Sequence, residues 1–190
     1  MQAAELSEAL TLLGSDLHRH GLEYELVAVG GSALLLLGVI SRPTRDVDIV
    51  AFVENGSYVK ADPFPRDLAE AVRVVGTALG IGAEWLNAGP AMLMDLGLPS
   101  GFSKRVVTRE FGGLKLHLAS RSDLIALKLY AATDQGINSR HFEDLNALKP
   151  SRAELMEGAK WTRSQDPSEG FRQELVKLLA AFGVESVREL

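Results

Sequence analysis

Asp46 and Asp48 are separated by one residue in the run Arg45-Asp46-Val47-Asp48-Ile49-Val50, where acids alternate with apolar residues. In a strand, alternate side chains share a face, so the spacing predicts both carboxylates on one side while Val47 and Ile49 enter the core. Two carboxylates held this way disfavour each other's ionisation unless a cation lies between them. Mg²⁺ suits the task, because it takes one or two carboxylates and fills the rest of its shell with water and substrate phosphates. A pair of solvated aspartates on a half-exposed strand is the competing reading of an isolated D-x-D, so the neighbouring residues carry the decision.

Sixteen positions before Asp46 begins Gly30-Gly31-Ser32, directly after the run Glu23 to Val29, which reads as a strand. Without Cβ atoms, a glycine pair lets the backbone come close to a bulky anion. The N–H groups at the start of a following helix favour that anion, and Ser32 adds a hydroxyl donor. Alone, a Gly-Gly pair is more often a plain tight turn. Arg42 and Arg45 flank Pro43-Thr44 just ahead of the acids, placed to balance them or to contact phosphate.

Together these parts read Gly30-Gly31-Ser32, nine residues, then Arg42-Pro43-Thr44-Arg45-Asp46-Val47-Asp48. The arrangement resembles the signature of DNA polymerase β-like nucleotidyltransferases. It looks closest to small bacterial and archaeal members, including the toxin halves of AbiE-type toxin–antitoxin pairs. The resemblance implies a polymerase β-like core, a mixed sheet flanked by helices. It also implies an NTP substrate with Mg²⁺ or Mn²⁺ held by Asp46 and Asp48. Gly30, Gly31, Ser32, Arg42 and Arg45 would contact the triphosphate. The acceptor would be a hydroxyl or phosphate on an RNA end, a protein or a small molecule, with pyrophosphate leaving. For a toxin the acceptor would be tRNA or a protein, with a cognate antitoxin as partner.

Toxin-type members also use a helix lysine and a later aspartate, and Lys128 and Asp144 match them. Lys128 is the only charge between Asp123 and Asp134, so it must snorkel or serve a site. Asp144 is spaced i, i+4 from Arg140, which a surface salt bridge would also explain. The superfamily's third carboxylate is expected on Leu114 to Ala119, yet that stretch, LKLHLA, offers only His117 as a polar ligand. Glu84 is the other candidate by type. The departure leaves a second reading open, a catalytically inactive module of the same fold that binds nucleotide or a partner.

The elements that must position these residues follow from periodicity. Leu6, Leu10, Leu13 and Leu17 recur at helical spacing and predict a helix over Ala4 to Arg19. A short helix is expected over Ala33 to Leu37 and a core strand over Asp46 to Phe52. A loop follows from Asn55 to Pro65, then a helix over Arg66 to Leu79 and a short strand over Ala83 to Leu86. Val106 to Phe111 and Leu114 to Ala119 flank Gly112-Gly113 as a hairpin. Four helices follow, over Ser122 to Thr133, Ser139 to Leu148, Ser151 to Thr162 and Glu169 to Leu190. The order gives an α+β fold with a C-terminal helical portion. A nucleotidyltransferase-like core is expected over residues 1–150 and a helical extension over 151–190. The apolar face of the last helix packs on its own domain or on a second copy.

Composition narrows the function classes. The 190 residues are 46% hydrophobic and 24% charged, with a formal net charge of −5. The acidic balance argues against a broad, non-specific nucleic-acid surface. With no cysteine, thiolate zinc sites, disulfides and cysteine nucleophiles are excluded. His18, His20, His117 and His141 lack zinc-site spacing, and Trp85 and Trp161 read as packing residues. The longest uncharged apolar run, Leu26 to Ile40, contains three glycines and is too short to cross a bilayer. With no basic leader at its start, the chain reads as cytoplasmic.

Overall fold

The computed structural model of the chain describes residues 1–184. Backbone packing divides the chain into two compact units, Met1–Ala119 and Ser120–Leu190.

The first unit is α+β. Helix α1 spans Ala3–Arg19 and buries Leu6, Leu10, Leu13 and Leu17, the stripe its sequence predicts. Strand β1, Tyr24–Val29, leads into α2, Gly30–Leu36, so this helix starts on the glycine pair instead of after it. Strand β2, Val47–Glu54, is followed by β3, Ser57–Lys60, inside the stretch expected to be loop. The sequence signal for this turn is Asn55-Gly56. Both residues take positive φ, 51° and 76°, as a two-residue type I′ hairpin turn requires. Helix α3, Arg66–Leu79, matches expectation. Strand β4 is only Leu86–Asn87, shorter and later than Ala83 to Leu86. After a 3₁₀ turn at Gly89–Met92 and the short α4, Leu93–Leu96, come β5, Val107–Phe111, and β6, Leu114–Leu118.

The strands form one mixed sheet in the order β3-β2-β1-β6-β5, with β4 beside the start of β2. β1 runs antiparallel to β2 and parallel to β6. One face carries Leu26, Ala28, Ile49, Leu114, Leu116 and Leu118, all fully buried. α1 lies against β5 and β6, with α3 beside α1. The approach of α1 is so close that a Cβ on Gly14 would lie 1.3 Å from the carbonyl oxygen of Phe111. The Gly113 N–H donates to the Gly14 carbonyl at 2.8 Å, locking the β5–β6 turn to the helix.

The second unit is helical: α5, Arg121–Gln135; α6, Arg140–Leu148; α7, Arg152–Gln165; and α8, Glu169–Ala181. Each follows a serine, Ser120, Ser139, Ser151 or Ser168, whose side chain accepts a backbone N–H from the first turn. Such caps stabilise each helix by about 1 kcal/mol. α5 packs against the other three. Gly158 of α7 permits the closest approach, since its Cβ would lie 3.3 Å from the Cα of Ala126. The last helix starts where the sequence places it and ends at Ala181; the remainder of that expectation, beyond residue 184, lies outside the described residues.

These glycines separate two outcomes. Gly14→Ala is expected to cost about 3 kcal/mol or more through overpacking against β5. Gly170→Ala, in α8 with open space around the added carbon, is expected to be neutral or to stabilise by about 0.5 kcal/mol. Urea unfolding of both variants beside the parent checks the contrast.

Candidate active site

Burial alternates along residues 46–49. Val47 and Ile49 are fully buried, while Asp46 and Asp48 are half-buried between and beside them. Asp46 lies one residue ahead of β2, and Asp48 is its second residue.

A register shift in the sheet sets which face they occupy. Val27 pairs with Ala51, but Ala28 pairs with Ile49 and Val29 with Asp48, so Val50 is the extra residue of a bulge. A one-residue slip exchanges the faces of a strand. With the bulge, Asp48 shares its face with Val29 and Val27. Without it, Asp48 would share the face of Leu26 and Ala28. On its other side Asp48 pairs with Asn87 of β4.

The same register delivers the glycines. Gly30 follows Val29 immediately, and a Cβ on it would lie 2.3 Å from Asp48 Oδ2. With φ at +76°, this position favours glycine for its backbone conformation, and an added Cβ would push the Asp48 carboxylate aside. Gly31 has ordinary van der Waals room. Its Cβ would meet the Arg42 guanidinium and Thr44 Oγ1, both at 3.6 Å. Thr44 is buried and donates to the Asp46 carbonyl at 3.0 Å, fixing the turn that enters β2. Arg45 is exposed. Ser32 is fully buried, its hydroxyl donating to the Val29 carbonyl at 3.3 Å. The first unit thus brings together Gly30, Gly31, Arg42, Asp46 and Asp48, and turns the Ser32 hydroxyl onto the strand–helix junction.

A shallow cavity of about 490 Å³ lies beside Asp46 and is lined in part by Arg45, Glu84, Trp85 and Asn87. Glu84 is exposed in the turn before β4. Trp85 is 2% exposed and donates its indole N–H to the Val72 carbonyl at 2.9 Å; it is a core residue with one edge on the cavity.

Among the described residues, the β6-side positions in register with this end of β1 carry no acid. His117 pairs with Val27 and Leu118 with Ala28, and the Ala119 N–H donates to the Ala28 carbonyl at 2.9 Å. The next position in line with Val29 and Asp48 is therefore Ala119, fully buried. His117 is occupied elsewhere, its Nε2 3.2 Å from Glu25 Oε2 and its Nδ1 3.0 Å from Thr108 Oγ1. Among the described residues no three His, Asp or Glu side chains converge to hold a metal. The donor set fits a Mg²⁺ whose shell is completed by a triphosphate, and not a cation caged by protein alone.

In the second unit, Lys128 of α5 and Asp144 of α6 form a buried ion pair. The Lys128 ammonium lies 2.7 Å from Asp144 Oδ2, with the side chains 9% and 1% exposed. Lys128 also reaches His141 Nδ1 at 3.5 Å. Sequence spacing suggested Arg140 as the partner of Asp144; the residue found across from it is Lys128, because the core side of α6 meets α5.

The chain belongs to the family described as nucleotidyltransferase of unknown function (DUF6036), whose model matches residues 5–147. No curated protein matches the chain. No solved structure matches it either. None of the described helices is long and apolar enough to cross a membrane.

The ion pair gives a prediction. Lys128→Met or Asp144→Asn alone is expected to destabilise by about 3–5 kcal/mol, since each strands a buried charge. The double variant should recover most of that loss, a coupling that a double-mutant cycle in urea measures directly.

Proposed function

We propose that the protein transfers a nucleotidyl group from an NTP to an acceptor hydroxyl or phosphate in a metal-dependent reaction, with Asp46 and Asp48 as the metal ligands. The observation that carries this reading is the contact between Gly30 and the Asp48 carboxylate. The two halves of the sequence motif meet at one point of the sheet through residues eighteen apart, Gly30 and Asp48, and a scaffold has no need to hold an acid against a glycine turn. Membership of a nucleotidyltransferase family supports the same class.

In this reading the roles follow from position. Asp46 and Asp48 hold Mg²⁺ or Mn²⁺, which when bound neutralises phosphate charge on the nucleotide. Gly30 and Gly31 leave room for the triphosphate beside Asp48. Arg42, whose guanidinium lies over Gly31, takes phosphate oxygens bidentately. Arg45, exposed at the cavity beside Asp46, meets the outer part of the nucleotide or the acceptor. Ser32 supports the turn from beneath through its bond to Val29. Such a site works by positioning and charge stabilisation. Lys128 and Asp144 belong to the reaction only on the toxin-type reading, in which a tRNA or protein is the acceptor and an antitoxin the partner.

A second reading has its own support. Ala119 stands where an acid would complete the row with Asp48, which favours a module that binds nucleotide without turning it over.

Incubation with each α-³²P-labelled NTP, Mg²⁺ or Mn²⁺, and total cell RNA and protein tests the proposal. Transfer of label by the parent, lost in an Asp46→Ala/Asp48→Ala variant, is expected. A folded parent that transfers no label from any nucleotide sinks it and leaves the binding module.

A further inference from the structure

On the face of the sheet that Asp48 occupies, three side chains from three strands form a hydrogen-bonded chain that the proposed reaction does not use. Thr108 of β5 and His117 of β6 are direct cross-strand partners, with Oγ1 3.0 Å from Nδ1. His117 Nε2 lies 3.2 Å from Oε2 of Glu25 on β1. The second Glu25 oxygen accepts from the Lys115 ammonium at 2.6 Å.

The chemistry of each group fixes the direction of the chain. A carboxylate only accepts, so Nε2 carries the imidazole hydrogen and donates it to Glu25. Nδ1 is then the basic nitrogen, and Thr108 donates its hydroxyl hydrogen to it. Lys115 and the imidazole hold the Glu25 carboxyl below its usual range, so it stays ionised and able to stabilise an imidazolium. The order is hydroxyl, base, orienting carboxylate, the arrangement that activates a hydroxyl nucleophile. His117 is only 14% exposed in its side chain, whereas Thr108 is exposed on an edge strand of the sheet. A half-buried base thus serves a hydroxyl open to a second molecule.

The geometry points to Thr108 as a self-modification site, the acceptor of a nucleotidyl group delivered by a second copy of this chain. This rests on the proposed nucleotidyl transfer. β5 is three strands from β2, about 14 Å at a strand spacing near 4.8 Å, so Thr108 does not reach a nucleotide held at its own Asp48. In the step, Thr108 Oγ attacks the α-phosphorus of the NTP. The bond from that phosphorus to the α,β-bridging oxygen breaks, and its electron pair leaves on pyrophosphate. The Oγ proton passes to His117 Nδ1. The product is O-nucleotidyl threonine. His117 is the base, and Glu25 is a positioning residue that sets its tautomer.

The test mixes parent protein, α-labelled NTP and Mg²⁺ with an affinity-tagged Asp46→Ala/Asp48→Ala chain, followed by peptide mass spectrometry of the tagged chain. Label on Thr108 of the tagged chain is expected. It should survive Thr108→Ser, vanish with the isosteric Thr108→Val, and form about 100-fold more slowly with His117→Ala, the usual scale of a general base. A folded Glu25→Gln chain should label more slowly with a shifted pH–rate profile, which a purely structural role would not produce. Label on RNA or on other residues but not on Thr108 overturns the inference and leaves the proposed function standing. If no label moves anywhere, the proposed function fails, and a fluorophosphonate probe then decides separately. Probe attachment at Thr108 that needs His117 upholds the activated hydroxyl, and none overturns it.

Discussion

The pairing of β1 with β2 is the constraint from which the rest of the candidate site follows. The bulge at Val50 turns Asp48 onto the face of Val27 and Val29. It also sets Val29 directly across from Asp48, so the chain leaves β1 into Gly30 at the carboxylate itself. The contact there, with 2.3 Å between a hypothetical Cβ and Oδ2, leaves room for a side chain only if the carboxylate moves aside. One register shift therefore decides which face Asp48 occupies and where the glycine turn meets it.

Much of this was legible in the sequence for identifiable reasons. Alternation in Asp46 to Ile49 and the stripe Leu6, Leu10, Leu13 and Leu17 are period signals, and both hold in the structure. The serine caps of the last four helices are local chemistry that the structure supplies at Ser120, Ser139, Ser151 and Ser168. The β2–β3 turn is also written in the chain, as Asn55-Gly56, while Pro63 and Pro65 downstream favour a loop. The bulge was not legible, because Val50, Ala51 and Phe52 are all apolar and buried, and an unbroken apolar run carries no parity. Nor was the partner of Asp144. Spacing sees only the neighbours on its own helix, while Lys128 comes from another.

Two features set this chain apart from a plain reading of its motif. On one side of β1 the row from Asp48 ends at Ala119 instead of an acid, so any cation at Asp46 and Asp48 depends on the substrate's own phosphates. On the same strand His117 is bound to Glu25 and Thr108, which accounts for the only polar ligand candidate the sequence offered there. The buried pair of Lys128 and Asp144 ties α5 to α6 whatever else it does. A buried ion pair is costly to break and weak as a source of net stability, so its presence marks specificity of packing or of function.

The account stands on a cation and a triphosphate sharing the Asp48–Gly30 contact. Thermal unfolding with each NTP, in the presence and absence of Mg²⁺, measures that sharing directly. A nucleotide at about a hundred times its Kd stabilises by about 2.7 kcal/mol, a shift of several degrees in Tm. The account predicts that shift only when metal and nucleotide are both present, and its loss in Asp48→Asn. A folded parent whose Tm ignores every metal–nucleotide pair, or an equal shift in Asp48→Asn, would contradict it.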